Sequence, residues 1–64
     1  MAELYRRIVM VLKENGCRLV RSGKGSHEIW FSPISERHVT VPRSTKSRHT
    51  ANEVLKEAGL PKSF

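Results

Sequence analysis

Cysteine, long apolar runs and acidic residues are scarce in this 64-residue sequence. The single cysteine, Cys17, cannot form an internal disulfide, which is typical of proteins kept in a reducing cytoplasm. The longest apolar run, residues 8–12, is far short of the roughly 20 residues that a membrane-spanning helix needs. We also expect no secretory leader, because Glu3 comes early and no small-residue cleavage site follows. These absences predict a cytoplasmic protein with no membrane partner.

Metal-ligand patterns are also missing from the sequence. It contains no CxxC or HExxH spacing, and its three histidines, His27, His38 and His49, are too far apart to share one turn of a helix. A chain this short has little room for a deep cleft that would also house a cofactor. We therefore expect no metal and no cofactor.

Positive charge is what the sequence has in excess. Twelve Lys and Arg against six Asp and Glu give a formal net charge of +6 and a pI near 10.3. Such a field attracts polyanions, and each phosphate that a basic side chain neutralises releases a counterion. Nucleic acid is therefore the leading partner, although solubility alone would also account for the charge.

The hydrophobic pattern predicts the order α-β-β-β-α in one domain, residues 1–64. Residues 2–15 have helical periodicity and end at Asn15-Gly16, and three short extended segments follow, at residues 17–22, 27–32 and 38–42. Residues 43–49 have the composition of a basic surface loop, and residues 62–64 of a loose tail. Thr50 and Glu53 match a capping box at the start of a second helix, which ends at Gly59. We expect an α+β fold, a three-stranded antiparallel sheet with both helices on one face.

Residues 21–27 (RSGKGSH) bring together groups that suit RNA chemistry. Two glycines let the backbone approach a phosphate, and an imidazole can exchange a proton near neutral pH. A base that removes the proton from a ribose 2′-hydroxyl would start cleavage of RNA but not of DNA. The candidate residues are Arg21, Lys24, Gly25, Ser26 and His27. From spacing alone, an ordinary hairpin turn and a structural His27 are the favoured interpretation.

Four segments change that balance, because together they resemble the HicA family of toxins that cleave mRNA. They are VLKENG, RLVRSGKGSHEIW, VTVP and VLKEAGL, and they extend over nearly the whole chain. The resemblance implies a fold like that of a double-stranded-RNA-binding domain, and it implies that His27 of the GSH element is catalytic. It also implies a HicB-type antitoxin that covers the active-site face.

The sequence departs from the family pattern next to the histidine. Glu28 stands where the family often has a second His or a Gln, and this acidic residue could alter contacts with the substrate. Lys46 and Arg48 are candidates for phosphate contact, whereas no catalytic role is carried over to His49. A second acid or base at His38 would require that it lie near His27 across the sheet; a plain strand position is favoured.

The aromatic pair Trp30 and Phe31 must point to opposite faces of its strand. We expect Phe31 to pack in the core and leave the place of Trp30 open. Cys17 is expected to be a buried structural thiol, because no activating partner is evident.

Two rivals to the ribonuclease hypothesis remain. An RNA-binding module without catalysis would use His27 only as a contact to phosphate or 2′-hydroxyl. A protein-interaction domain would use its basic surface only for the antitoxin and would bind free RNA negligibly at physiological salt.

Overall fold

The computed structural model describes residues 3–23 and 25–64 and confirms the predicted fold class. The sheet is antiparallel, in the order β1-β2-β3. The elements are α1 (Glu3–Glu14), β1 (Arg18–Ser22), β2 (His27–Ser32), β3 (Arg37–Pro42) and α2 (Arg48–Glu57). The first helix and all three strands thus agree with the predicted bounds to within one residue, apart from residue 2, which lies outside the described residues.

Both helices pack on one face of the sheet, as expected. Ile8 and Leu12 are four residues apart, so they point from the same side of α1 into the core, and both are fully buried. The alternation along β3 buries Val39 and Val41 against the same core. The remaining core side chains are Cys17, Trp30, Ala51, Val54, Leu55 and Ala58. Cys17 is therefore a buried thiol, as predicted.

The alternation along β2 determines which of its two aromatic residues is buried. Glu28, Trp30 and Ser32 are buried on the helix side, while His27 and Phe31 belong to the other side. The expectation that Phe31 packs in the core is wrong, because strand register places Trp30 there at 3% exposure. The helix side of β2 is also joined to α2, since the Ser32 hydroxyl donates to the Ala58 carbonyl at 2.6 Å.

The first strand is an irregular edge of the sheet. All five of its residues are exposed, including the apolar Leu19 and Val20. Its pairing with β2 shifts register between Leu19 and Arg21, which is the pattern of a β-bulge. Arg18 pairs with Phe31 and Arg21 with Ile29, so both arginines belong to the sheet face opposite the helices.

The second helix begins three residues earlier than the sequence indicated. Ser47 is the N-cap, with φ −107° and ψ 132°, and its hydroxyl accepts from the His49 backbone N–H at 3.2 Å. The expected capping box of Thr50 and Glu53 is therefore wrong, because Thr50 already lies in the helix. The preceding loop is also only partly a surface loop: Thr45 is buried, and its hydroxyl donates to the Pro42 carbonyl.

The C-terminal residues are docked rather than loose. The Asn52 side-chain oxygen accepts from the backbone N–H groups of Ser63 and Phe64, and its amide donates to the Phe64 carbonyl at 3.1 Å. The Phe64 ring packs against the core and lies 5.2 Å from the Arg7 guanidinium carbon. A side chain in the middle of α2 thus holds the end of the chain.

No helix within residues 3–23 and 25–64 is long and apolar enough to cross a membrane. The same residues contain no group of three His, Cys, Asp or Glu side chains placed to hold a metal ion.

Candidate functional site

His27 opens β2 at the end of the sheet, next to the turn that joins β1 to β2. It is exposed, and it pairs with Pro42 on β3. The turn is closed by the Gly23 backbone N–H, which donates to the His27 carbonyl at 2.8 Å. Gly25 has φ +63°, a backbone conformation that residues other than glycine rarely adopt. These contacts therefore fix the backbone of His27 where the turn meets β2.

The other predicted contact residues lie on both sides of this turn. Arg21 is near the end of β1, and Gly25 and Ser26 form the exposed part of the turn immediately before His27. Lys24, the remaining member of the segment, lies outside the described residues. The sequence order therefore places Arg21, Gly25 and Ser26 at the same end of the hairpin as His27.

Lys46 lies in the segment that follows β3, and Arg48 is the first residue of α2. This segment begins at the same end of the sheet, because Pro42 pairs with His27 and the Arg43 backbone N–H donates to the Ser26 carbonyl at 2.7 Å. Lys46 and Arg48 are both exposed. The structure therefore anchors the start of this basic segment beside the glycine turn.

His38 lies at the other end of the sheet. It pairs with Phe31, four residues along β2 from His27, a separation of roughly 13 Å at about 3.3 Å per residue. The idea that His38 could act as a second acid or base beside His27 is therefore wrong, and the favoured plain strand position is correct.

Glu28 is the buried polar centre of this end of the fold, and sequence reasoning did not anticipate it. One carboxylate oxygen, Oε1, accepts from the Tyr5 hydroxyl at 2.8 Å and from the Trp30 indole N–H at 3.1 Å. The other oxygen, Oε2, lies 3.3 Å from Nε of Arg43. Since Glu28 is on the helix side of β2, its carboxylate points away from the face to which His27 belongs. Its role is to join α1, β2 and the segment after β3.

Arg43 connects three segments around the glycine turn. Besides its ion pair with Glu28, its Nη2 donates to the Ser22 hydroxyl at 3.3 Å, and its backbone N–H binds the turn at Ser26. The side chain is 47% exposed against 10% for Glu28, so the ion pair itself contributes about 1 kcal/mol or less. Sequence reasoning had placed Arg43 in a basic surface loop, and its position directly after VTVP was the available signal.

The hydrogen bond from the Tyr5 hydroxyl to Glu28 can be tested by the pH dependence of stability. Burial raises the pKa of Tyr5 above its usual 10.0, the hydrogen bond and the charge of Glu28 raise it further, and Arg43 opposes the rise. A pKa that is higher in the folded state means that the unfolded chain loses its proton first, so stability falls as pH increases from about 10 through the folded-state pKa. We expect Tyr5→Phe to remove this part of the alkaline loss, measured as free energy of unfolding between pH 8 and pH 11. An identical alkaline slope in the variant and the wild type would contradict the assignment.

The fold and the site define a small basic α+β domain with an exposed histidine at a glycine turn, and this architecture is compatible with that of a double-stranded-RNA-binding domain. The sequence model of the family described as HicA toxin of bacterial toxin–antitoxin matches residues 5–60. The chain therefore belongs to the HicA toxin family. Membership gives it the role of toxin in a toxin–antitoxin system and implies an antitoxin as its partner. Searches of curated proteins and of solved structures gave no match.

Proposed function

We propose that this toxin is a metal-independent endoribonuclease that cleaves mRNA and so arrests translation, with His27 as the general base or acid at the ribose 2′-hydroxyl. The observation that carries the proposal is the placement of His27. In a chain that belongs to the HicA toxin family, the histidine of the GSH element is exposed at the end of a strand, and its backbone is held by the Gly23 hydrogen bond. An exposed imidazole can meet a substrate and remove or supply a proton.

The chemistry follows from the nucleophile that RNA carries and DNA lacks. His27 removes the proton from a ribose 2′-hydroxyl, and the 2′-oxygen attacks the adjacent phosphorus. A bond from phosphorus to O2′ forms while the bond to O5′ breaks. The leaving 5′-oxygen takes up a proton from water, and His27 returns its own proton to the solvent. The products are a 2′,3′-cyclic phosphate and a 5′-hydroxyl, so no oxidant or cofactor is consumed.

Cationic and hydroxyl donors around the turn would hold the phosphate as negative charge develops. Gly25 and Ser26 directly precede His27, and Arg21 precedes the turn on β1. Lys46 and Arg48 are assigned to the RNA backbone on either side, because their segment starts beside Ser26. Lys24 belongs to the same assignment from the sequence. The full set proposed to bind RNA is Arg21, Lys24, Gly25, Ser26, Lys46 and Arg48.

In this proposal residues 1–64 act as one HicA-like domain in the cytoplasm, and the antitoxin is of the HicB type. The net charge of +6 suits an acidic partner surface, and complementary charge increases the rate at which two proteins meet. An antitoxin that covers the end of the sheet at His27 would exclude RNA.

The deciding experiment is cleavage of an unstructured single-stranded RNA by the purified protein in EDTA. We expect the RNA to be cut with 2′,3′-cyclic phosphate ends, and the same sequence as DNA to stay intact. A third substrate carries 2′-deoxyribose only at the cleaved nucleotide and should resist cleavage there. Intact RNA with saturable binding would instead favour the non-catalytic RNA-binding module, and cleavage of the 2′-deoxy substrate would exclude the 2′-hydroxyl mechanism.

A further inference from the structure

The sheet face opposite the helices is not covered by any helix or strand of residues 3–23 and 25–64. Strand pairing arranges its side chains in rows that run across the sheet. His27 and Pro42 form the first row, Arg21, Ile29 and Thr40 the second, and Arg18, Phe31 and His38 the third. None of these residues is acidic, whereas the acidic Glu28 lies on the helix side. This open face therefore complements a polyanion.

The third row consists of three planar groups. The Arg18 guanidinium carbon lies 5.7 Å from the centre of the Phe31 ring, and the His38 ring lies on the other strand with its centre 5.5 Å away, at 66° to Phe31. The Phe31 side chain is only half-buried, and Arg18 and His38 are exposed. Aromatic rings and guanidinium planes are the groups on which unpaired bases stack.

We propose that Arg18, Phe31 and His38 form a subsite that binds an unpaired base of the RNA substrate. This proposal rests on the proposed function and specifies its substrate class, which is single-stranded RNA. A base inside a duplex cannot offer its face to Phe31. Arg18 is exposed at the sheet edge, so its guanidinium can move aside and close over the bound base.

The spacing of the rows relates the subsite to the reacting phosphate. Phe31 lies roughly 13 Å along β2 from His27, at about 3.3 Å per residue. Stacked nucleotides of one strand follow each other at about 3.4 Å, and an extended strand covers more distance for each nucleotide. The stacked base therefore belongs to a nucleotide roughly two to four positions from the cleaved bond. Arg21 and Thr40 of the second row lie below the connecting nucleotides.

RNA fits this row better than the antitoxin does. An RNA strand presents the flat faces of its unpaired bases to these planar groups. The same RNA strand can reach His27, because Phe31 and His27 lie on one β-strand. Charge alone would suit either partner. The experiment therefore measures whether the effect of a substitution in the row depends on the length of the RNA.

The test uses oligoribonucleotides of two, four, six, eight and ten residues with the wild-type protein and Phe31→Ala. Binding is measured by fluorescence anisotropy in a His27→Ala background, which prevents turnover, and cleavage is measured with intact His27. We expect Phe31→Ala to weaken binding of the longer RNAs by about 5-fold to about 100-fold, the range for loss of one stacked base. Binding of the dinucleotide should be unchanged, because it is too short to reach the subsite. In the cleavage assay, Phe31→Ala should raise KM and change kcat little.

Two variants control for the loss of an apolar side chain. Phe31→Trp keeps a stacking surface and should retain the binding of long RNA, and Met10→Ala removes an exposed apolar side chain from α1 and should bind as the wild type does. Thermal unfolding of each variant establishes that it is folded. Both controls separate stacking from general effects of the substitution.

If Phe31→Ala and the wild-type protein bind RNA of every length with equal affinity, the proposed subsite is wrong. Cleavage of RNA by the wild-type protein would still support the proposed function. An equal loss for the dinucleotide, or a loss of antitoxin binding with RNA affinity unchanged, would also overturn the subsite. If the wild type binds the longer RNAs but does not cut them, the ribonuclease proposal fails. The effect of Phe31→Ala on affinity, measured against RNA length, then still tests the subsite. The two proposals can thus fail separately.

Discussion

His27→Ala is expected to lower kcat for RNA cleavage by about 10²-fold to 10⁴-fold, the usual contribution of a general acid–base group. The fold should persist, because the bonds that hold this turn, from Gly23 to the His27 carbonyl and from Arg43 to the Ser26 carbonyl, are between backbone atoms that alanine retains. The measurement is single-turnover cleavage in EDTA at saturating RNA, with thermal unfolding of the same samples. RNA affinity should fall far less than the rate.

His49→Ala is the matched control for this prediction. It also removes one exposed imidazole, but from the first turn of α2, and it should cut RNA within a few-fold of the wild-type rate. Cleavage that survives in His27→Ala and disappears in His49→Ala would show that His49, and not His27, is the catalytic histidine. Loss in both variants, with folding intact, would require a site that uses two histidines.

Glu28→Ala is expected to cost about 2–4 kcal/mol of folding free energy, because it leaves the buried Trp30 indole N–H and the Tyr5 hydroxyl without their shared acceptor. In a domain of this size each kcal/mol shifts Tm by about 4–8 °C, so Tm should fall by about 10–30 °C. Urea unfolding followed by Trp30 fluorescence measures the free energy and reports on the indole itself.

Three further variants separate the hydrogen bonds of Glu28 from its charge. Glu28→Gln keeps an acceptor oxygen and should lose less stability than Glu28→Ala. Arg43→Ala removes only a half-exposed partner and should cost about 1 kcal/mol. Glu53→Ala, on the exposed side of α2, should stay within about 0.5 kcal/mol of the wild type. A larger loss in Arg43→Ala than in Glu28→Ala would mean that the ion pair, not the buried hydrogen bonds, stabilises this end of the fold.

Local periodicity was sufficient to predict most of the fold. The spacing of Ile8 and Leu12 and the alternation of Val39 and Val41 are short-range signals, and both gave the right faces. The start of α2 was harder to predict because Ser47 and Thr50 both carry hydroxyl groups suited to an N-cap. The choice between them depends on the turn after β3, where Thr45 is buried and bonded to the Pro42 carbonyl. That packing is tertiary and has no local pattern.

The parts of the candidate site that the sequence could not specify depend on pairs distant in the chain. Alternation predicted that Trp30 and Phe31 lie on opposite faces but did not specify which face is buried. The partners of Glu28 account for an acidic residue on the buried face. Those partners include Tyr5, which is 23 residues away, and Arg43. An acidic residue normally argues for a solvent-facing strand position. Likewise, the separation of His38 from His27 follows from a hairpin register that pairs His38 with Phe31. The catalytic assignment of His27 depended on the family resemblance and stays a prediction.

The irregular edge strand β1 also affects self-association of the protein. An edge strand with exposed Leu19 and Val20 has backbone groups that could pair with the edge of a second copy and start self-association. The bulge interrupts a regular row of such groups, and the like charges of Arg18 and Arg21 repel a second edge of the same kind. Engineering that neutralises these arginines to weaken RNA binding would therefore also remove the protection against aggregation, and loss of activity in such variants should be read together with their solubility.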